Sequence, residues 1–160
     1  MARTLVGLIA DTHGLLRPEA VAALAGAAHI VHAGDIGSRS GEPRGVLDAL
    51  ARIAPLTVVR GNNDRAAWAA SIPQTADIEF EAVRIHVLHI LDELAIDPAA
   101  AGVNVVVSGH SHKPHVETRD GILFVNPGSA GPRRFKLPVS VARLWVEAGH
   151  AEIELVTLLQ

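Results

Sequence analysis

The chain reads as an α/β domain of two packed β-sheets, partly parallel and partly antiparallel, with helices on the outside. Three observations predict this. The first third alternates apolar runs with Ala- and Leu-rich segments, a β-α-β-α-β order that implies a parallel sheet with right-handed crossovers. The rest holds apolar runs paired around short turns, the pattern of antiparallel hairpins. With 160 residues and 49% hydrophobic content, the chain is long enough for one core and short for two, so a single domain over 1–160 is expected.

Residues 4–10 are almost continuously apolar, as expected of a strand covered on both faces. Pro18 opens a helix over 19–25 and Gly26 stops it, the usual punctuation of a helix. Residues 29–33 read as a second strand, the glycine-rich stretch 34–45 as a loop and 46–51 as a short helix. Pro55 breaks the chain before a third strand at 56–59. Residues 77–80 and 83–90 flank Glu81-Ala82 as a hairpin whose turn lacks the usual glycine. Residues 92–101 are helical in composition but carry Pro98, which predicts a short or broken helix. A buried strand comes next at 103–107, then a hairpin of 115–118 and 122–125 around Arg119-Asp120-Gly121. The segments 139–147 and 151–158 close the chain through Ala148-Gly149-His150, with Ile153, Leu155 and Thr157 alternating against Glu152 and Glu154.

Composition removes several function classes. The net charge of −3 gives no basic field and argues against a nucleic-acid partner. The absence of cysteine excludes disulfides, thiolate metal sites and cysteine nucleophiles. No apolar run approaches the ~18 residues that cross a membrane, and no signal-peptide pattern is present, so a cytoplasmic protein with no membrane partner is expected.

Nine histidines beside 3% aromatics is an unusual balance, and five of them (His13, His32, His89, His110, His112) fall at or beside strand ends. Asp11, Asp35, Asn62 and Asp64 fall at strand ends too. In parallel α/β sheets, sites form outside the carboxyl ends of the strands. Carboxylate and amide oxygens suit hard divalent cations, and imidazole extends the set to transition metals. Taken singly, Asp11-Thr12-His13 or Gly34-Asp35 is commonplace, Asn62-Asn63 is a turn and His89 is a core histidine. Together they form a ligand set that fits two ions sharing the carboxylate of Asp35, or a single structural ion with the other residues only hydrogen-bonded. His32 reads as a support for a ligand or as a buried structural residue. Asn126-Pro127-Gly128-Ser129 shapes the backbone, and Arg133, Arg134 and Lys136 read as solvated.

The series Asp11-x-His13, Gly34-Asp35, Gly61-Asn62-x-Asp64, His89 and Gly109-His110-x-His112 resembles the calcineurin-like metallophosphoesterases. The length and Asn126-Pro127-Gly128-Ser129 are similar to the small YfcE-like phosphodiesterase branch. The resemblance implies a four-layer α/β/β/α sandwich of two mixed sheets flanked by helices, with a di-metal centre at its rim. By matching motifs, Asp11, His13, Asp35 and His112 would hold one divalent ion, and Asp35, Asn62, His89 and His110 the other. Manganese is expected, while iron, nickel and zinc also suit these donors. The implied reaction is hydrolysis of a small phosphodiester by attack of a metal-bridging hydroxide; a phosphomonoesterase, or a scaffold such as the retromer subunit of this fold, is the alternative. Two departures stand out. Many relatives carry histidine where this chain has Asn63, and Asp64, which orients that histidine, is left to hold the loop or to pair with an arginine; Asn63 and Asp64 are the candidate catalytic residues. The usual His-Gly-His stretch is here His89-Ile90-Leu91. An edge strand near 76–90 suits a homo-oligomer, dimer or tetramer.

Overall fold

A computed structural model describes residues 3–38, 42–43 and 45–159, so part of the expected 34–45 loop lies outside the described residues. In chain order the elements begin with β1 (Thr4–Ile9), α1 (Pro18–Leu24), β2 (His29–His32), α2 (Val46–Ile53) and β3 (Leu56–Val58). Two hairpin strands come next, β4 (Thr75–Phe80) and β5 (Val83–Leu88), then β6 (Val105–Val107), β7 (His115–Arg119), β8 (Ile122–Asn126), β9 (Val139–Glu147) and β10 (His150–Leu159). One sheet has the order β10-β9-β1-β2-β3 and the other β4-β5-β6-β8-β7. β1, β2 and β3 are parallel, and β9 and β10 join them antiparallel. In the second sheet β5, β6 and β8 are parallel, with β4 and β7 antiparallel at the edges.

The periodicities explain the layers. Val6, Leu8 and Ala10 point one way from β1 and meet Val83, Ile85, Val87, Val105 and Val107 of the facing sheet in the central core. Leu5 and Ile9 point the other way, onto Leu24 of α1 and Leu50 of α2. That two-sided burial is why β1 carries no polar alternation. Pro18 sits in the first turn of α1 and Glu19 beside it, where the missing N–H costs nothing and the negative charge suits the helix dipole. α2 starts after Gly45 at φ 72° and runs two residues beyond the expected end, to Ile53, before Pro55.

The fourth layer is thinner than the helix expected over 92–101. A 3₁₀ turn at Leu91–Glu93 and successive turns take its place, and Leu91, Leu94 and Phe124 cover Leu88, Val103 and Val106 on the outer face of the second sheet. Pro98 has no N–H to continue a helix, and Asp97 bonds the amide of Ala99 at 3.1 Å, a local turn that competes with one.

Two hairpins also depart from simple patterns. The Glu81-Ala82 turn takes left-handed φ values of 51° and 63° without a glycine. It is held from outside, because the amide of Gly149 in the β9–β10 turn donates to the carbonyl of Glu81 at 2.7 Å. In β10, Ala151 and Ile153 face the central core, but Val156 and Leu158 pack on the helical side and Leu155 is 39% exposed. α1 packs against β10 and covers the face opposite the one the alternation suggests. Among the described residues, no helix is long and apolar enough to cross a membrane.

Ile85 is fully buried between the sheets. Ile85→Ala should lower unfolding free energy by about 3 kcal/mol, within the range for aliphatic truncation in a core, read from urea unfolding curves.

Candidate metal centre

The mouth of the sandwich is built from loops that leave the strands in left-handed turns. Asp11, His13, Asp35, His110 and His112 have φ values of 54°, 46°, 58°, 74° and 62°. Asp, Asn and His tolerate this region better than other non-glycine residues, yet each such position costs roughly 1–2 kcal/mol. The surrounding bonds enforce it. The amides of Asp11, His13 and Gly14 donate to the carbonyls of Gly34, Asp35 and Ile36 at 3.0, 3.0 and 2.7 Å. Ser129 Oγ donates to the Asp11 carbonyl at 3.0 Å, and the Ala130 amide to that of Ala10 at 3.1 Å. A Cβ on Gly61 would strike the Asp35 amide, and one on Gly34 would lie 2.6 Å from His89 Nδ1, so glycine is required for these loops to close on one another.

Two groups of donor atoms result. In the first, His112 Nε2 lies 3.3 Å from His13 Nε2 and 3.6 Å from Asp11 Oδ1. In the second, His89 Nε2 lies 3.3 Å from Asp35 Oδ2, with His110 beside them and its Nδ1 3.1 Å from Asn62 Oδ1. Within each group, Asp11–His13–His112 and Asp35–His89–His110, the donor atoms lie within 4.8 Å of one another. Asp35 Oδ2 is also 3.8 Å from His13 Nε2, so this carboxylate stands between the groups. The chain therefore brings all seven residues singled out by type and position to one place.

Asp11 Oδ1, His89 Nε2 and His112 Nδ1 are buried without a hydrogen-bond partner. An unpartnered buried acceptor costs about 1–3 kcal/mol, and more when charged. His89 Nδ1 donates to the Ala33 carbonyl at 2.7 Å, which aims the lone pair of Nε2 into the cluster. Two imidazole nitrogens facing each other at 3.3 Å, beside an unpartnered carboxylate oxygen, form a donor set that fits a divalent cation.

Electrostatics agree. Burial pushes Asp11 up to about 7, against the pull of His89 and with the repulsion of Asp35. Burial likewise opposes ionisation of Asp35, but His89, the Asn63 amide and His13 outweigh it and hold Asp35 at about 2. Burial lowers His13, and lowers His112 to about 4 with help from the charges of Arg134 and His13. Both rings are thus neutral at pH 7 and keep a lone pair to give. His89 moves the other way: burial opposes its charge, but Asp35 and Asp11 raise it.

The residues around the cluster have distinct tasks. Asp64 is buried and spends both oxygens on backbone amides: those of Asp35 and Gly61 at 2.9 and 2.8 Å, and those of Ile36 and Gly37 at 3.0 and 3.2 Å. Of the two roles open to it in the sequence, it takes that of holding the loop and positions Asp35. Asn63 grips Asp35 as well, through its amide to Oδ1 at 2.9 Å and through Nδ2 to Oδ2 at 3.0 Å. His32 is a fully buried structural residue whose Nδ1 accepts from the Gly34 amide at 3.1 Å, so its Nε2 donates to Thr12 Oγ1 at 2.9 Å.

Arg134 is a residue whose place the sequence alone does not reveal. It is exposed, as its local pattern predicts, and its charge also acts on Asp11, His13 and His112. A signal for this exists in the chain: Asn126-Pro127-Gly128-Ser129 returns to the end of β1, so the residues just beyond Ser129 must lie near Asp11.

This fold has counterparts in known proteins. The profile of the calcineurin-like phosphoesterase superfamily domain matches residues 5–149, and the chain belongs to that family. A probable metallophosphoesterase of Methanothermobacter thermautotrophicus is 33% identical over 93% of this chain and 91% of its own. Two solved structures share the fold: the phosphoesterase YfcE of E. coli (TM-score 0.70, 22% identity, 97% of this chain and 100% of that one) and vacuolar protein sorting 29 of Cryptosporidium parvum (TM-score 0.76, 19% identity, 99% of each).

His32 yields a pH signature. Burial depresses it from 6.5 to about 3 in the folded chain. Between those values the unfolded chain binds the proton and the folded chain does not, so His32 contributes stability above pH 6.5 that is lost as pH falls toward 3. His32→Gln, which can keep both hydrogen bonds but does not titrate, should flatten the fall in urea midpoint between about pH 7 and about pH 4.5.

Proposed function

We propose that the protein is a di-metal phosphodiesterase in which Asp11, His13, Asp35 and His112 hold one divalent ion, Asp35, Asn62, His89 and His110 hold the other, and Asp35 bridges them. The observation that carries this reading is the pair of buried, unpartnered atoms Asp11 Oδ1 and His89 Nε2 within a set of converging lone pairs. Oxygen and imidazole donors without thiolate favour manganese, with iron, nickel or zinc as substitutes. Such ions, when bound, lower the pKa of water towards about 7 and neutralise charge on phosphoryl oxygens.

The chain supplies the remaining parts. His13 and His112 present neutral rings at pH 7. Asp64 fixes the Asp35 backbone, and the Asn63 amide helps keep the Asp35 carboxylate ionised while the Asn63 side chain orients it. Arg134, in the loop before β9, has a charge that already acts on Asp11, His13 and His112 and would offer the phosphoryl oxygens a cation. Asn63 has no proton to give at neutral pH, so leaving groups that depart without one are favoured. The expected substrate is a small diester with a good leaving group rather than an alkyl monoester. The comparison with the phosphoesterase YfcE supports phosphoester chemistry, and the net charge of −3 favours a small phosphoester over a nucleic acid.

The test pairs elemental analysis with a panel of bis(p-nitrophenyl) phosphate, p-nitrophenyl phosphate and cyclic nucleotides across several divalent ions. His112→Ala should lower kcat/KM on the diester by at least about 100-fold, beyond what most outer-shell changes cost, and lower metal content. Full activity with normal metal content in that variant would overturn the assignment. Absence of both metal and hydrolysis under every ion would favour a binding protein on the same fold. Arg134→Ala should raise KM about tenfold, the loss of a charge-assisted hydrogen bond of about 1.5 kcal/mol, while metal content stays unchanged.

A further inference from the structure

Two hollows open on either side of the chain where it leaves β5. One, of about 260 Å³ and mostly apolar, has Leu91, Phe124 and Val125 in its lining together with His110, Ser111 and Lys113. The other, of about 250 Å³, is lined by Arg60, Gln74, Thr75 and Glu93 and reaches Asn62 and His89. Ile90 lines both. Each hollow therefore meets the Asn62–His89–His110 side of the cluster, and Ile90 is common to both.

Size and chemistry limit what can enter. Pockets of about 300–1,000 Å³ take drug-sized molecules, so each of these admits a single ring or a short polar group and not a polymer. An apolar floor favours a ring, which gains by leaving water. Against Arg60, Gln74 and Glu93 the same ring would strip polar groups of water without replacing their hydrogen bonds.

We propose that the two hollows seat the two ester substituents of the substrate, an aromatic or apolar one over Phe124 and a polar one beside Arg60, with Ile90 as the wall between them. The substrate is then a small unsymmetrical phosphodiester. This rests on the phosphoesterase reading above, and the experiment separates the two.

Calorimetry on the manganese-loaded protein compares phenylphosphonate with methylphosphonate, neither of which has an ester to hydrolyse. The wild type should bind the phenyl compound about tenfold more tightly, a modest return on burying a ring. Lys113→Trp fills the apolar hollow with an indole; Lys113 is exposed, and its amide donates to Ser111 Oγ at 3.2 Å, a bond the substitution leaves in place. That variant should lose the phenyl preference and keep its methylphosphonate affinity, which also reports that it is folded. Equal binding of both compounds by the wild type, or a preference that survives in Lys113→Trp, would overturn the apolar seat. In turnover, p-nitrophenyl glyceryl phosphate should exceed bis(p-nitrophenyl) phosphate in kcat/KM, and Ile90→Gly should narrow that ratio by joining the hollows. A wild-type ratio of one or below would overturn the polar seat. No turnover of either ester, with the phenyl preference intact, would sink the phosphodiesterase reading and leave the apolar seat standing.

Discussion

Asp64 accepts from the amides of Asp35, Ile36, Gly37 and Gly61, and through those bonds loops from two strands become one unit. Hydrogen bonds to a charged acceptor contribute roughly 1.5–3 kcal/mol each, and here they act on backbone that would otherwise rest in less strained conformations. The rest of the mouth hangs from that clamp. Asp35, fixed from behind, turns its own carboxylate forward and receives the amide and side chain of Asn63. The loop after β1 then leans on the Asp35 loop through the His13 and Gly14 amides, and Ser129 draws in the far end of the chain.

The two central carboxylates show how much environment decides for one residue type. Asp35 is surrounded by donors and stays ionised at about 2. Asp11 is more deeply buried; one oxygen accepts from the His110 amide at 3.0 Å and the other has no partner, so it rises to about 7. A cation entering this cluster relieves Asp11 far more than Asp35. Asn62 contributes a neutral oxygen where a third carboxylate would raise Asp11 further.

Much of this was legible because it is local. Each candidate ligand sits where an apolar run stops, and the end of a strand is marked by its neighbours in sequence. The helix of α1 is announced by Pro18 and Gly26, and the β7–β8 turn by Asp120-Gly121. What escaped depends on contacts between distant segments. The break expected over 92–101 was announced by Pro98, but its Asx turn at Asp97 was not, and the change of face in β10 reflects where α1 lies. The Glu81-Ala82 turn violates local preference and survives because Gly149, from another hairpin, donates to it. Arg134 carries nothing in its neighbouring sequence to show that its charge acts on Asp11, His13 and His112.

The left-handed turns at Asp11, His13, Asp35, His110 and His112 also govern how this mouth can drift under mutation. Such backbone admits asparagine and glycine readily and resists β-branched side chains. Conversions such as aspartate or histidine to glycine would remove donors from the cluster while leaving the turns, and the sandwich beneath them, nearly intact. The architecture thus decouples survival of the fold from survival of the centre. Single substitutions could then remove the donor cluster and still leave a folded domain.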